Sequence, residues 1–109
     1  MTADIDDYVE FTRTVALYPG AGQGEMPELS YLTLGLTSEA GEVGSLVKKV
    51  MRRGHFKEDD PAKIRDELGD VLWYWARLVD AMEFTPEEIM DHNQEKLTGR
   101  VKRNELKDR

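Results

Sequence analysis

The sequence predicts an all-α fold, a helical bundle in which two long helices carry paired acids. Three observations predict it. No stretch shows sustained strand-like alternation of apolar and polar residues. Apolar residues instead recur at helical spacing over Leu29–Val50 and again over Ile64–Met82. Glycine and proline gather in one stretch, Tyr18–Glu28 (YPGAGQGEMPE), and a second polar break lies at Gly54–Asp60 (GHFKEDD).

The elements follow in order. A short first helix is expected at Ile5–Leu17, ending where the Tyr18–Glu28 loop begins. The second helix runs over Leu29–Arg53, with Gly54 placed to cap its C-terminus. The third runs over Pro61–Glu83, with Asp60 as N-cap and proline at the first helical position. The fourth runs over Pro86–Leu97, and Thr85 and Glu88 have the spacing of a capping box. At about 1.5 Å per residue the second helix is about 37 Å long, against a radius of gyration of about 13 Å for a compact chain of this size. A rod of that length needs a partner along it. In the third helix Val71, Leu72, Trp73, Tyr74, Trp75, Ala76, Leu78 and Val79 cover every side of the cylinder, and a helix apolar all round is buried all round. Both features predict a bundle completed by oligomerisation, a dimer or tetramer, with Trp73 turned away from the acids towards core or interface.

The 109 residues suffice for one domain, expected to span 1–109. The chain has no cysteine, which excludes disulfides and thiolate zinc sites. No apolar run approaches the roughly 18 residues that would cross a bilayer, and Met1–Glu10 is acidic, unlike a signal peptide. A soluble, cytoplasmic protein without membrane contact is expected. The net charge of -7, from 22 acidic and 15 basic residues, repels nucleic-acid polymers. A small phosphate compound remains compatible with that field when metal ions stand between the two.

The acids indicate where such ions would sit. On the second helix Leu29, Leu32, Leu36, Ala40, Val43, Val47 and Val50 form an apolar stripe, with Glu39 inside it and Glu42 at its edge. On the third the stripe is Ile64, Leu68, Val71, Trp75, Leu78 and Met82, flanked by Glu67 and Asp70. Each acid pair is spaced i, i+3 and projects from one face. Packing the stripes antiparallel directs four carboxylates towards one point, and four unpaired buried charges require compensation. A hard divalent cation, magnesium or in its place manganese, suits an all-oxygen site shared with substrate phosphates. Gly35, Gly41 and Gly44 each weaken the second helix by about 1 kcal/mol relative to alanine, so a close approach is expected there.

The segments LGLTSEAGEVGSLVKKVMRR (34–53) and DELGDVLWY (66–74) resemble the metal helices of the MazG-like all-α nucleotide pyrophosphohydrolases. That family's pattern, EExxE followed after a spacer by ExxD, reads here Ser38-Glu39-x-x-Glu42 and Glu67-x-x-Asp70, with Ser38 replacing the first glutamate. The resemblance spans Leu29–Arg100 and implies that Glu39, Glu42, Glu67 and Asp70 are metal ligands. It also implies hydrolysis of a nucleoside or deoxynucleoside triphosphate to monophosphate and pyrophosphate, with water attacking the α-phosphorus and Glu39 or Glu42 as its base. Lys48, Lys49 and Arg52, with Arg53, lie beyond Glu42 on the same helix and are candidates for the distal phosphates. Asn93, Lys96 and Arg100 match the family's trailing Asn…Lys…Arg and are candidate nucleotide contacts, as is Tyr74 for stacking on sugar or base. A rival reading is a non-catalytic helical oligomer that binds metal or nucleotide as a sensor or interaction module.

Overall fold

The computed structural model describes residues 4–104, and among them the secondary structure is four helices without a strand. Helix α1 covers Ile5–Thr14, α2 Met26–Arg53, α3 Asp60–Ala81 and α4 Pro86–Lys102. Helices α2 and α3 form an antiparallel hairpin and pack along one another. Helix α1 lies against α3, while α4 touches the other helices at only a few points.

The boundaries depart from expectation for local reasons. Helix α1 stops at Thr14 rather than Leu17. The hydroxyls of Thr12 and Thr14 bond back to the carbonyls of Val9 and Phe11, competing with the helical ladder at its last turn. Helix α2 begins at Met26, three residues early, because Glu28 belongs to its first turn rather than to the loop. Gly54 caps α2 in the left-handed conformation, as expected. Asp60 is not the N-cap of α3 but its first helical residue. Its carboxylate is committed elsewhere, accepting from the Lys57 amide at 2.7 Å and from Arg53 at 2.8 Å, so it closes the α2–α3 loop. The capping box of Thr85 and Glu88 is formed in full, and α4 continues through Gly99 to Lys102, beyond the expected Leu97.

The core is thin. Val9, Tyr18, Leu32, Val50, Ala76 and Val79 are its buried apolar residues, whereas Leu17, Met26, Leu34 and Met51 are between 69 and 88 % exposed. The expected stripe on α3 is displaced: Leu68 and Met82 remain exposed, and the helix buries Ala76, Arg77 and Val79 instead. Of the two places expected for Trp73, core or interface, its contacts lie on the side of the core. It packs within the chain, edge-on to Tyr18 and to Tyr74. A groove of about 740 Å³ opens along the other side of the hairpin, walled by Met26, Leu29 and Leu34 of α2, Trp75 and Leu78 of α3, and Phe84. With α4 standing off, the radius of gyration is 16.7 Å, well above the value of about 13 Å for a compact chain of this length.

Candidate metal centre

Helical register brings the acids together. Antiparallel packing sets Gly35 of α2 against Tyr74 of α3, and one turn further along it sets Glu39 near Asp70 and Glu67. Glu39, Glu67 and Asp70 each offer an oxygen, and the three oxygens lie within 4.8 Å of one another. Glu39 and Glu67 are half-buried and Asp70 is exposed. Glu42, the fourth expected acid, is exposed and stands outside this cluster, although its charge is felt at Glu67.

The electrostatics are those of acids lacking partners. Glu67 is held above its ordinary pKa, first by a proton-sharing hydrogen bond with Glu39, then by burial and by the charges of Glu39, Glu42 and Asp66. Burial and the charges of Asp66 and Glu67 raise Asp70. Among the described residues no donor reaches the buried Oε2 of Glu67. An orphaned carboxylate oxygen among converging acids, all hard oxygen donors, fits a divalent cation such as magnesium. Burial, the Tyr31 hydroxyl and the nearby acids push Tyr74 up to about 12, so it stays a neutral phenol.

A second polar group, for which the helical periodicity carries no signal, supports the same helices. Glu28, fully buried, accepts hydrogen bonds from the Tyr18 hydroxyl, from the Gly22 amide at 2.8 Å and from the Gly24 amide at 2.7 Å. Both glycines have positive φ, which turns their N–H groups inward. Arg77, also buried, lies 4.0 Å from Glu28, bonds Asp80 at 2.8 Å and Thr12 at 3.3 Å, and Asp80 in turn holds Arg13 at 2.6 Å. The signal was present in the sequence: an arginine inside the all-apolar run 71–79 requires a buried partner. Tyr18, anchored by this group, stacks on Tyr31 at 4.9 Å, and Tyr31 reaches Tyr74 beside the acids.

The expected phosphate contacts divide. Lys49 and Arg52 line a cavity of about 400 Å³ with Arg53, Lys57, Lys63 and Asp60, near the closed end of the hairpin. Lys48 does not line it and is exposed. Arg53 is tied to Asp60, whereas Lys49 and Arg52 make no ion pair among the described residues. Among the described residues Asn93, Lys96 and Arg100 make no hydrogen bond or ion pair with the acids, and α4 does not pack along the hairpin. Among the described residues no helix is long and apolar enough to cross a membrane.

Residues 28–104 match the family model described as the MazG nucleotide pyrophosphohydrolase domain. The chain is also similar to the Gene 37 protein of Mycobacterium phage L5, 37% identical over 102 residues, which cover 91% of this chain and 90% of that protein. No solved structure matches. The matched segment begins at Glu28 and contains α2 from that residue on, α3 and α4, and so all four expected acids. The chain belongs to the MazG family of nucleotide pyrophosphohydrolase domains.

Proposed function

We propose that this protein is a magnesium-dependent hydrolase that cleaves a nucleoside or deoxynucleoside triphosphate to the monophosphate and pyrophosphate. The observation that carries the reading is the convergence of Glu39, Glu67 and Asp70 around a buried Glu67 oxygen without a donor. Magnesium, or manganese in its place, would neutralise the polyphosphate and polarise the phosphoryl oxygen under attack. The remaining roles belong to the chain. Glu39, Glu67 and Asp70 would hold the ion. Glu42 is exposed and outside their cluster, so its carboxylate is the better placed of the two candidate bases to take a proton from the attacking water, Glu39 being engaged with Glu67. Lys49 and Arg52 supply positive charge for the distal phosphates, with Lys48 at the rim.

The chain acts as one domain, since α1 packs on α3 and joins the body of the matched segment. It functions as a homo-oligomer, a dimer or tetramer. The open apolar groove and the unpacked α4 support this, because a contiguous apolar surface of that kind is rarely left bare. In the assembly α4 presents Asn93, Lys96 and Arg100, which share one helical face, to substrate. Light scattering is expected to give a multiple of the 12.5 kDa chain mass. A monomer would refute the assembly.

The function is tested by incubating the protein with a panel of ribo- and deoxyribonucleoside triphosphates and measuring released pyrophosphate with magnesium, manganese, calcium or excess EDTA. Turnover is expected with magnesium and manganese. Undiminished hydrolysis in EDTA would sink the metal reading, and absence of turnover on every triphosphate would sink the enzyme reading.

A further inference from the structure

Gly35 lies one turn before Glu39 on α2, and Tyr74 lies one turn after Asp70 on α3. The Tyr74 ring fills the space that a side chain at position 35 would need: a Cβ built there falls within 2.5 Å of its Cδ1, Cε1 and Cζ atoms. Nothing comparable occurs at Gly41 or Gly44, where a Cβ meets no atom within 4 Å. The ring is also held from its sides, by Tyr31 with centroids 6.2 Å apart and by Trp73 edge-on at 5.1 Å. The tightest helix–helix contact at a glycine of this hairpin is thus the next contact along from the acids.

We propose that the Tyr74 ring, seated in the Gly35 notch, is the spacer that sets the separation of α2 and α3 at Glu39, Glu67 and Asp70, and thereby the size of ion those acids accept. Gly35 and Tyr74 are positioning residues in this role, and the inference rests on the reading that the acids hold a divalent cation. Packed helices stand about 8–10 Å apart, the value depending on the side chains at the contact. One turn is about 5.4 Å, too short for close-packed helices to reset their spacing between Gly35 and Glu39. Opposed oxygens lie about 4.2 Å apart across magnesium and about 4.6–5.2 Å apart across calcium, so a few tenths of an ångström decide between the ions. The oxygens of the three acids lie within 4.8 Å of one another, close enough to share one ion, so a change in helix spacing acts directly on the distances they offer it. The tyrosine hydroxyl has no part in the spacing, which depends on the ring alone.

The test is to titrate metal-free protein with magnesium and with calcium by calorimetry, alongside thermal melts, for the wild type, Gly35→Ala, Tyr74→Phe and Tyr74→Leu. Tyr74→Phe keeps the ring and is expected to bind both ions within about twofold of wild type. Gly35→Ala is expected to weaken magnesium about 10-fold or more, as loss of a supporting contact does at metal sites, and calcium by less. The ratio of the two affinities then moves towards calcium, which a residue that merely fills the core would not achieve. Tyr74→Leu, which removes the ring without introducing a clash, is expected to change the ratio also, and decides the matter should Gly35→Ala not fold. A folded Gly35→Ala, or in its place Tyr74→Leu, that keeps the wild-type ratio overturns the spacer while leaving the metal reading intact. A wild type that binds neither ion overturns both.

Discussion

Two carboxylate groups occupy the same helical hairpin and behave in opposite ways. Around Glu28 and Asp80 every acid has donors. Burial would raise Glu28, but the Tyr18 hydroxyl, the Gly22 and Gly24 amides and the Arg77 charge outweigh it and hold Glu28 below its ordinary value. The Arg13 guanidinium, helped by Arg77, does the same for Asp80 against its partial burial. Around Glu67 and Asp70 no cation among the described residues forms an ion pair, and both acids are raised. The first group sits at the end of the hairpin where α1, the glycine loop and α3 meet, and it holds the fold together. The second is costly to the metal-free fold and is a place where a missing cation would do most. Burial of charge therefore separates structure from function only when the partners are counted.

The largest effect is expected in the structural group. Glu28→Gln sets an amide donor against backbone donors and leaves Arg77 poorly compensated. It should cost about 3–5 kcal/mol, the usual effect of breaking a buried ion pair, read as a fall in the urea midpoint. A loss below about 1 kcal/mol would show that the group is not a keystone. At the other half, Glu39→Gln, Glu67→Gln and Asp70→Asn should each lower kcat/KM about 10²–10³-fold, about 3–4 kcal/mol in the barrier. Each should leave the metal-free protein as stable as wild type or more so, since like-charge repulsion is removed. Glu42→Gln should lower kcat similarly while leaving magnesium affinity nearly unchanged, because Glu42 stands outside the three-oxygen cluster.

Acidity sharpens the contrast further. The stability contributed by Glu28 and Asp80, whose folded pKa values are depressed, is present above their unfolded values of about 4.3 and 3.9 and is lost as pH falls through the folded ones. Glu67 and Asp70, being raised, favour the metal-free fold fully below those unfolded values, and that contribution is lost as pH rises through the folded ones. In EDTA, Glu67→Gln should therefore melt above wild type at pH 7 and match it near pH 4, whereas the deficit of Glu28→Gln should shrink on acidification. Parallel curves at both pH values would contradict the assignment. The smallest expected effect is at Gly44, where a Cβ meets open space: Gly44→Ala should stabilise by about 0.5–1 kcal/mol in a thermal melt. A loss instead would locate a second chain against that part of α2.

The helices, the Gly54 and Thr85 caps and the acid pairs on their faces are legible in the sequence, because periodicity, capping and i, i+3 spacing act over a few residues. The family motif was legible for the same reason. Which partner each charge meets depends on the packing of the helices. Glu28 read as loop because its donors come from amides turned inward by the fold, and Arg77 meets Glu28 and Thr12 from distant parts of the chain, while its near neighbour Asp80 is shared with Arg13, 67 positions away. Trp73 could not be assigned to the chain's own interior until Tyr18 of the loop was seen to reach it. Of three weak points in α2, only Gly35 faces a ring, and Glu42 alone of the four acids stands outside the cluster. Spacing along a helix gives the direction of a side chain, but the register and separation of two helices decide what it meets, and those are set by contacts distant in sequence.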